Sequence, residues 1–281
     1  MNNLDEIDLM SLINIIKNRI SSRTFDDKKI DEHTLNKLSD FLKNSTNPFD
    51  VSIDFRILDK EVYDLSSPVI VGEKMYVAAK TKKVKNFELA YGYEFERFCL
   101  FAESLNIGTA ILVATLSRKK FEAAMNLNEH EVCIAASPIG YKAKKFSIRE
   151  TLLRKALKSE KRFNFNEIFF DKNFDKALDI SYNGLFKEAL EMLRLSPSAE
   201  NKQPWRVVVE DTMVHFYKKR NESMIHSKLG DIQKIDVGIA IAHFELIMNR
   251  KNINGKFLEI NKNIENKKDS FEYIISYCIQ S

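Results

Sequence analysis

S-P-S-A-E-N-K-Q-P-W-R, residues 196–206, joins a helix-like run to a strand-like run. Two prolines, Pro197 and Pro204, stop regular structure at each end. Between them Ser198, Ala199, Asn201 and Gln203 offer backbone N–H groups and amide side chains at close range, which suits a flat, polar, anionic ligand. The same residues also make an ordinary turn, so the loop alone leaves both readings open. On its N-terminal side, Leu185, Ala189, Leu190 and Leu193 share one face of a helix over 185–195. On its C-terminal side, Trp205, the only tryptophan, opens a strand over 205–210, and 212–217 alternates well enough to pair with it as a hairpin.

Two further segments are apolar on every side of a helix, 236–248 and 86–106. Such helices are buried all round and belong between lobes rather than on a surface. Gly108 is placed to follow the end of the helix over 86–106. The layout around each helix recurs. F-D-V-S-I at 49–53 matches W-R-V-V-V at 205–209; Gly92 and Phe98 match Gly238 and Phe244; 132–136 matches 274–278. The shared order argues for a duplicated unit, each copy covering the other's buried helix. The dividing line falls between 1–165 and 166–281.

In the first half, Leu9, Leu12, Ile13, Ile16 and Ile20 mark a helix over 8–20, and Asp31 caps a second carrying Leu35, Leu38, Phe41 and Leu42. Alternation predicts a strand over 51–58, and apolar runs predict strands over 110–116 and 131–136. Residues 118–126 read as a surface helix and 147–160 as a basic, exposed helix. Near the C-terminus 256–260 and 271–279 read as strands. The lysine-rich stretches 60–86 and 261–269 read as mobile connectors.

Composition excludes several classes. At 281 residues, 44% hydrophobic and 30% charged, the chain can bury a large core beneath a well-solvated surface. A net charge of +4, scattered among Asp and Glu, lacks the basic stripe of a nucleic-acid binder. Three isolated cysteines fit buried thiols in a reducing compartment. No apolar run approaches a membrane span and the N-terminus lacks a signal core, so a cytoplasmic protein with no membrane partner is expected. With eight glycines and no G-x-G-x-x-G, Walker or G-x-S-x-G motif, a Rossmann domain and a serine hydrolase are not expected; the five histidines show no metal-ligand spacing. What remains is R-I-S-S-R-T-F, residues 19–25. Two guanidinium groups and two hydroxyls within five residues make a phosphate cradle, although Arg19 and Arg23 could equally complement the negative end of the helix before them.

R-I-S-S-R-T-F resembles the R-R-S-x-R-x-F opening of the FMN-dependent nitroreductases, and residues 196–205 resemble their S-P-S-x-x-N-x-Q-P-W loop. The family carries both motifs close together in each subunit of a dimer. Here they lie in opposite halves. With K-R at 161–162, E-I-F-F at 167–170 and D-V-G-I-A-I-A-H-F-E at 236–245, the chain resembles the single-chain "putative TM nitroreductase" branch. The resemblance implies an α+β nitroreductase-like fold, internally duplicated as a single-chain pseudo-dimer with two long buried helices between lobes, a monomer mimicking a homodimer. It implies that Arg19, Ile20 and Ser21 hold the phosphate and ribityl end of FMN and that Arg23 lies near the N1/O2 edge. Pro197, Ser198, Ala199 and Asn201 would line the ring, with Gln203 supporting the loop. Lys161 or Arg162 would reach the phosphate. Val113 and Ala114 stand where the family often has two glycines whose backbone meets flavin N5. No side-chain acid or base and no metal is required, because the flavin carries the chemistry. The implied reaction takes hydride from NADH or NADPH to a nitroaromatic, quinone or similar small-molecule acceptor. The first half lacks the S-P-S-x-x-N pattern and the second lacks an Arg/Ser motif, so one FMN per chain is expected. A flavin carrier or sensor without turnover, and a duplicated scaffold without flavin, are the alternatives.

Overall fold

The computed structural model describes residues 3–226, 228–260 and 270–280; the connector expected over 261–269 lies outside the described residues. In the N-terminal part, helices α1 (Leu9–Asn18) and α2 (Glu32–Lys43) precede strands β1 (Asp54–Asp59) and β2 (Met75–Lys82). The long helix α3 (Phe87–Ser104) follows, then β3 (Ile107–Thr109), α4 (Arg118–Ala124), β4 (Glu131–Val132), β5 (Ala136–Tyr141) and α5 (Ile148–Ala156). The C-terminal part holds α6 (Phe165–Ile168), β6 (Phe169–Asp171), α7 (Lys187–Arg194), β7 (Trp205–Val209) and β8 (Met213–Lys219). It continues with β9 (Ile225–His226), β10 (Gly230–Asp231), α8 (Ile232–Arg250), β11 (Gly255–Leu258) and β12 (Phe271–Ile279).

The chain forms two compact units. The first contains Met1–Ile7, Asn18–Phe87 and Glu94–Ser159; the second contains Asp8–Lys17, Glu88–Tyr93 and Glu160–Ser281. Two short N-terminal stretches therefore group with the C-terminal part of the chain. In the first unit an antiparallel sheet runs β1-β2-β5-β3, with β4 also paired to β2. In the second the order is β11-β12-β8-β7-β6, antiparallel except for β6, which joins β7 in parallel. Setting β6 aside, the two sheets are built alike: a hairpin, a long helix, a short edge strand, then a strand that returns to pair with the second member of the hairpin.

The long helices carry the repeat most clearly. A Cβ on Gly92 would lie 2.1 Å from the carbonyl oxygen of Ile235, and one on Gly238 would lie 2.2 Å from that of Leu89. Each helix thus offers a glycine to the backbone three residues before the other helix's glycine. Phe98 of α3 is matched by Phe244 of α8, which packs edge-on against Phe216 and Tyr277. Both helices end on an asparagine in the left-handed region, Asn106 (φ 58°) and Asn252 (φ 57°). Leu89/Ile235, Gly92/Gly238, Phe98/Phe244 and Asn106/Asn252 all share one spacing in the sequence.

Several expectations are met closely. Asp31 caps α2, accepting from Thr34 N at 2.9 Å, and the Thr34 amide and Tyr141 hydroxyl bonds hold its carboxyl down to about 2. The β7–β8 hairpin, α8 and β12 lie where the periodicity puts them. Others are corrected. The stretch 60–86 is not a mobile connector: it contains β2, the strand between β1 and β5, with Tyr76, Val77, Ala78 and Ala79 all buried. Residues 110–116 are not a strand. They form an irregular segment, buried only at Ala110 and Leu112, whose amides find other partners, Ala110 N with Ser137 Oγ at 2.9 Å and Leu112 N with Ala136 O at 2.9 Å. The strand expected over 131–136 is two, β4 and β5, and the second runs on through Pro138 to Tyr141. Asn106 rather than Gly108 closes α3; Gly108 lies in β3, where a Cβ would come within 2.9 Å of Ser22 and Lys142. The 49–53 match precedes β1, so the true counterpart of β7 starts at Asp54.

Candidate functional site

In the first unit the segment after α1 is held on both sides by backbone bonds. Ser22 N donates to Thr109 O (2.8 Å), Val71 N to Arg23 O (2.9 Å) and Phe25 N to Val71 O (2.8 Å). Thr24 Oγ1 donates to Glu150 Oε2 at 2.7 Å and lies 3.0 Å from Ser147 Oγ, which fastens the start of α5 to this segment. Arg19 turns inward. Its side chain is 4% exposed, with Nη2 3.3 Å from Glu96 Oε2; burial works most strongly against its charge, and Glu96, Cys99 and Glu103 together more than offset this. Arg23 is different. Burial lowers its pKa; Glu150 opposes the shift, while Arg154 and Arg19 add to it. Its Nε and Nη1 are buried and have no hydrogen-bond partner, and Ser22 Oγ shares that state. Buried donors of this kind fit an anionic group. Ile20 and Ser21 are half-buried, and Ser21 bridges to Thr109.

Val113 and Ala114 form a turn beyond β3, the first half-buried and the second exposed. Arg118 fixes this turn: its guanidinium donates to Val113 O at 2.5 Å, to Ile134 O at 3.0 Å and to Cys133 O. Nothing in the sequence pattern pointed to Arg118, because arginine in a surface-helix run carries no signal of what it reaches.

In the second unit the 196–204 loop is a wound, internally bonded structure. Glu200, Asn201 and Gln203 all have positive φ (50°, 56° and 47°). Ser198 Oγ accepts from Gln203 N at 2.8 Å, and Ser198 O accepts from Asn201 N at 3.0 Å. Lys161 and Arg162 are brought to this loop. Arg162 donates to Leu195 O (3.2 Å) and Asn201 Oδ1 (3.2 Å), and Asn201 Nδ2 donates to Lys161 O (3.0 Å). Gln203 Oε1 accepts from Phe163 N at 2.9 Å, so this amide supports the loop. Pro197 precedes the wound portion and is half-buried. Asp236 of α8 completes the arrangement, its Oδ1 accepting from Ala199 N at 2.9 Å. Burial pushes this carboxyl up to about 8; the Ala199 bond opposes the shift and Asp231 adds to it. It is therefore protonated at neutral pH. The signal for Asp236 in the sequence is an acid placed between the apolar residues Ile235 and Val237 of a helix with no polar face.

Among the described residues no group of three or more His, Cys, Asp or Glu could hold a metal ion, and no helix is long and apolar enough to cross a membrane.

An α+β chain carrying the same sheet twice, with an arginine–serine segment in one unit and a proline-bounded loop in the other, defines a duplicated nitroreductase-type protein. The chain belongs to the family described as "Putative TM nitroreductase", whose model matches residues 11–248. It is accordingly an oxidoreductase of a flavin-dependent family. A crystal structure of a putative nitroreductase from Thermotoga maritima is similar over 95% of this chain and 92% of that one, with 18% identity and a TM-score of 0.61. A nitroreductase with bound FMN from Bacteroides fragilis matches 49% of this chain and 91% of its own, at 16% identity and a TM-score of 0.39. A nitroreductase family protein from Clostridium novyi matches 47% and 86%, at 16% and 0.40. No curated protein matches the chain.

Proposed function

We propose that the chain is an FMN-dependent NAD(P)H oxidoreductase that binds one FMN and passes electrons to a nitroaromatic, quinone or similar small acceptor. When bound, FMN supplies the hydride acceptor and the electron store. The chain's own residues bind it, orient it and exclude water. The observation that carries the reading is Arg23, a guanidinium fixed through its own backbone carbonyl and its neighbours' amides, with two buried nitrogens that lack a partner. Such a cation favours an anionic group or the negative charge of a reduced ring.

Arg19, already paired with Glu96, keeps this corner rigid. Ser21 and Ile20 line the same segment. In the other unit, Pro197, Ser198, Ala199 and Asn201 offer a flat lining, and Gln203 with Lys161 and Arg162 keeps it wound. Val113 and Ala114 offer backbone groups from a turn that Arg118 holds in place. One FMN per chain follows from the unequal shares, since each motif occurs once.

The first test is an absorbance scan of the purified protein, where a flavin band is expected, bleaching anaerobically with NADH or NADPH. Arg23→Ala should release the flavin while the far-ultraviolet circular dichroism is kept. Undiminished flavin occupancy in that variant would refute the assignment. A band that neither nucleotide bleaches would reduce the role to flavin binding alone.

A further inference from the structure

Helix α5 carries apolar residues on the wrong face for a solvated helix. Its inner face holds Glu150, buried and bonded to Thr24. Its outer face shows Ile148, 83% exposed, and Leu152, 64% exposed, one turn apart, with Ala156 a further turn on. Phe146, just before the helix, is 49% exposed beneath the Arg154 guanidinium. Helical spacing puts Arg149 on one edge of the outer stripe, where its Nη1 donates to Pro68 O, and Lys155 on the other. From 144 to 158 there are six cations, Lys144, Lys145, Arg149, Arg154, Lys155 and Lys158, against one carboxylate, the buried Glu150.

We propose that α5 docks the protein onto an anionic phospholipid surface, lying in the interface without crossing it. A convex apolar stripe edged on both sides by long cationic side chains is the form of an interfacial helix. The apolar residues enter the headgroup boundary, and the cations extend sideways to the phosphates. The outer face carries no acid to repel such a surface, and each cation near it adds about 1 kcal/mol of attraction. The stripe is small, so binding is reversible and salt-sensitive. The proposal does not depend on the flavin reading.

The test is co-sedimentation of the full chain with vesicles of phosphatidylcholine alone or mixed equally with phosphatidylglycerol. The mixed vesicles should bind roughly tenfold more tightly, and the difference should shrink as salt is raised. Ile148→Asp with Leu152→Asp, both at exposed positions, should lower binding by roughly tenfold or more with unchanged thermal stability. Lys155→Glu with Lys158→Glu should lower it and flatten the salt dependence. Equal binding to both vesicle types, or none to either, would overturn the proposal. So would a loss in the charge variant alone with the apolar variant unaffected, which would mean adsorption by charge with no entry of the apolar stripe.

Discussion

In both units a buried carboxyl group on the long helix anchors the loop before the hairpin, but the two anchors differ. In the first unit Glu94 of α3 takes Ser45 Oγ at 2.5 Å and the Asn47 amide, and Asn47 in turn accepts from Phe49 N at 3.0 Å. In the second, Asp236 of α8 takes only the Ala199 amide, and its Oδ2 has no hydrogen-bond partner. Burial raises both carboxyls, with Ser45, Asn47 and Arg97 countering it at Glu94 and Ala199 alone at Asp236. One scaffold thus holds a satisfied and an under-satisfied buried acid, at positions that do not correspond: the spacing that relates Gly92 to Gly238 pairs Asp236 with Ala90 and Glu94 with Ala240. The under-satisfied one lies beneath the loop proposed to face the flavin.

The comparison can be broken most severely at the glycines. Gly92→Val and Gly238→Val should each destabilise the protein by more than about 3 kcal/mol in urea unfolding, since each side chain would be driven into a helix backbone. A harmless result at one of them would show that the reciprocity of the two helices is false. Asp236→Asn should come next, raising stability at pH 7.5 by about 2 kcal/mol. The sign follows from linkage. The folded carboxyl titrates at about 8, against an ordinary 3.8, so stability is held in full below the lower value and is lost as pH rises through the higher one. The variant should flatten that fall between about pH 4 and 8. Glu94→Gln should act in the opposite direction, costing about 1 kcal/mol, because its carboxylate already has side-chain donors. Smallest of all, Asn106→Gly and Asn252→Gly should each change stability by less than about 0.5 kcal/mol, as both residues already sit at positive φ.

How legible each part was in the sequence depends on whether its burial leaves a pattern. Helix α2 shows a capping aspartate and a one-sided stripe, and β8 alternates; both can be read directly. Helices α3 and α8 betray themselves by having no polar face. Strand β2 hides because Tyr76 to Ala79 are buried on both sides, which erases alternation, and lysines surround the run. The run 110–116 misleads differently: it is apolar throughout its first half, yet only Ala110 and Leu112 are buried, and Ser137 and Ala136 satisfy their amides without a continuous ladder. In the site, Arg23 and the 196–204 loop stand out through residue types and resemblance. Arg118, Glu150 and Asp236 do not, because what matters in each is a partner distant in sequence.

Helix α3 has a practical consequence for anyone who would divide this protein. Residues 88–93 belong to the second unit: Glu88 takes the Asp231 amide at 3.3 Å, Tyr93 donates to Glu245, and Leu89 and Gly92 interlock with α8. A polypeptide severed between Ser159 and Glu160 would leave the C-terminal fragment without a piece of its own interior. Neither fragment should be obtainable alone as a folded product, and co-expression should restore both. The start of α3 thus completes the second unit's core, and the two halves of the chain cannot be parted without loss to it.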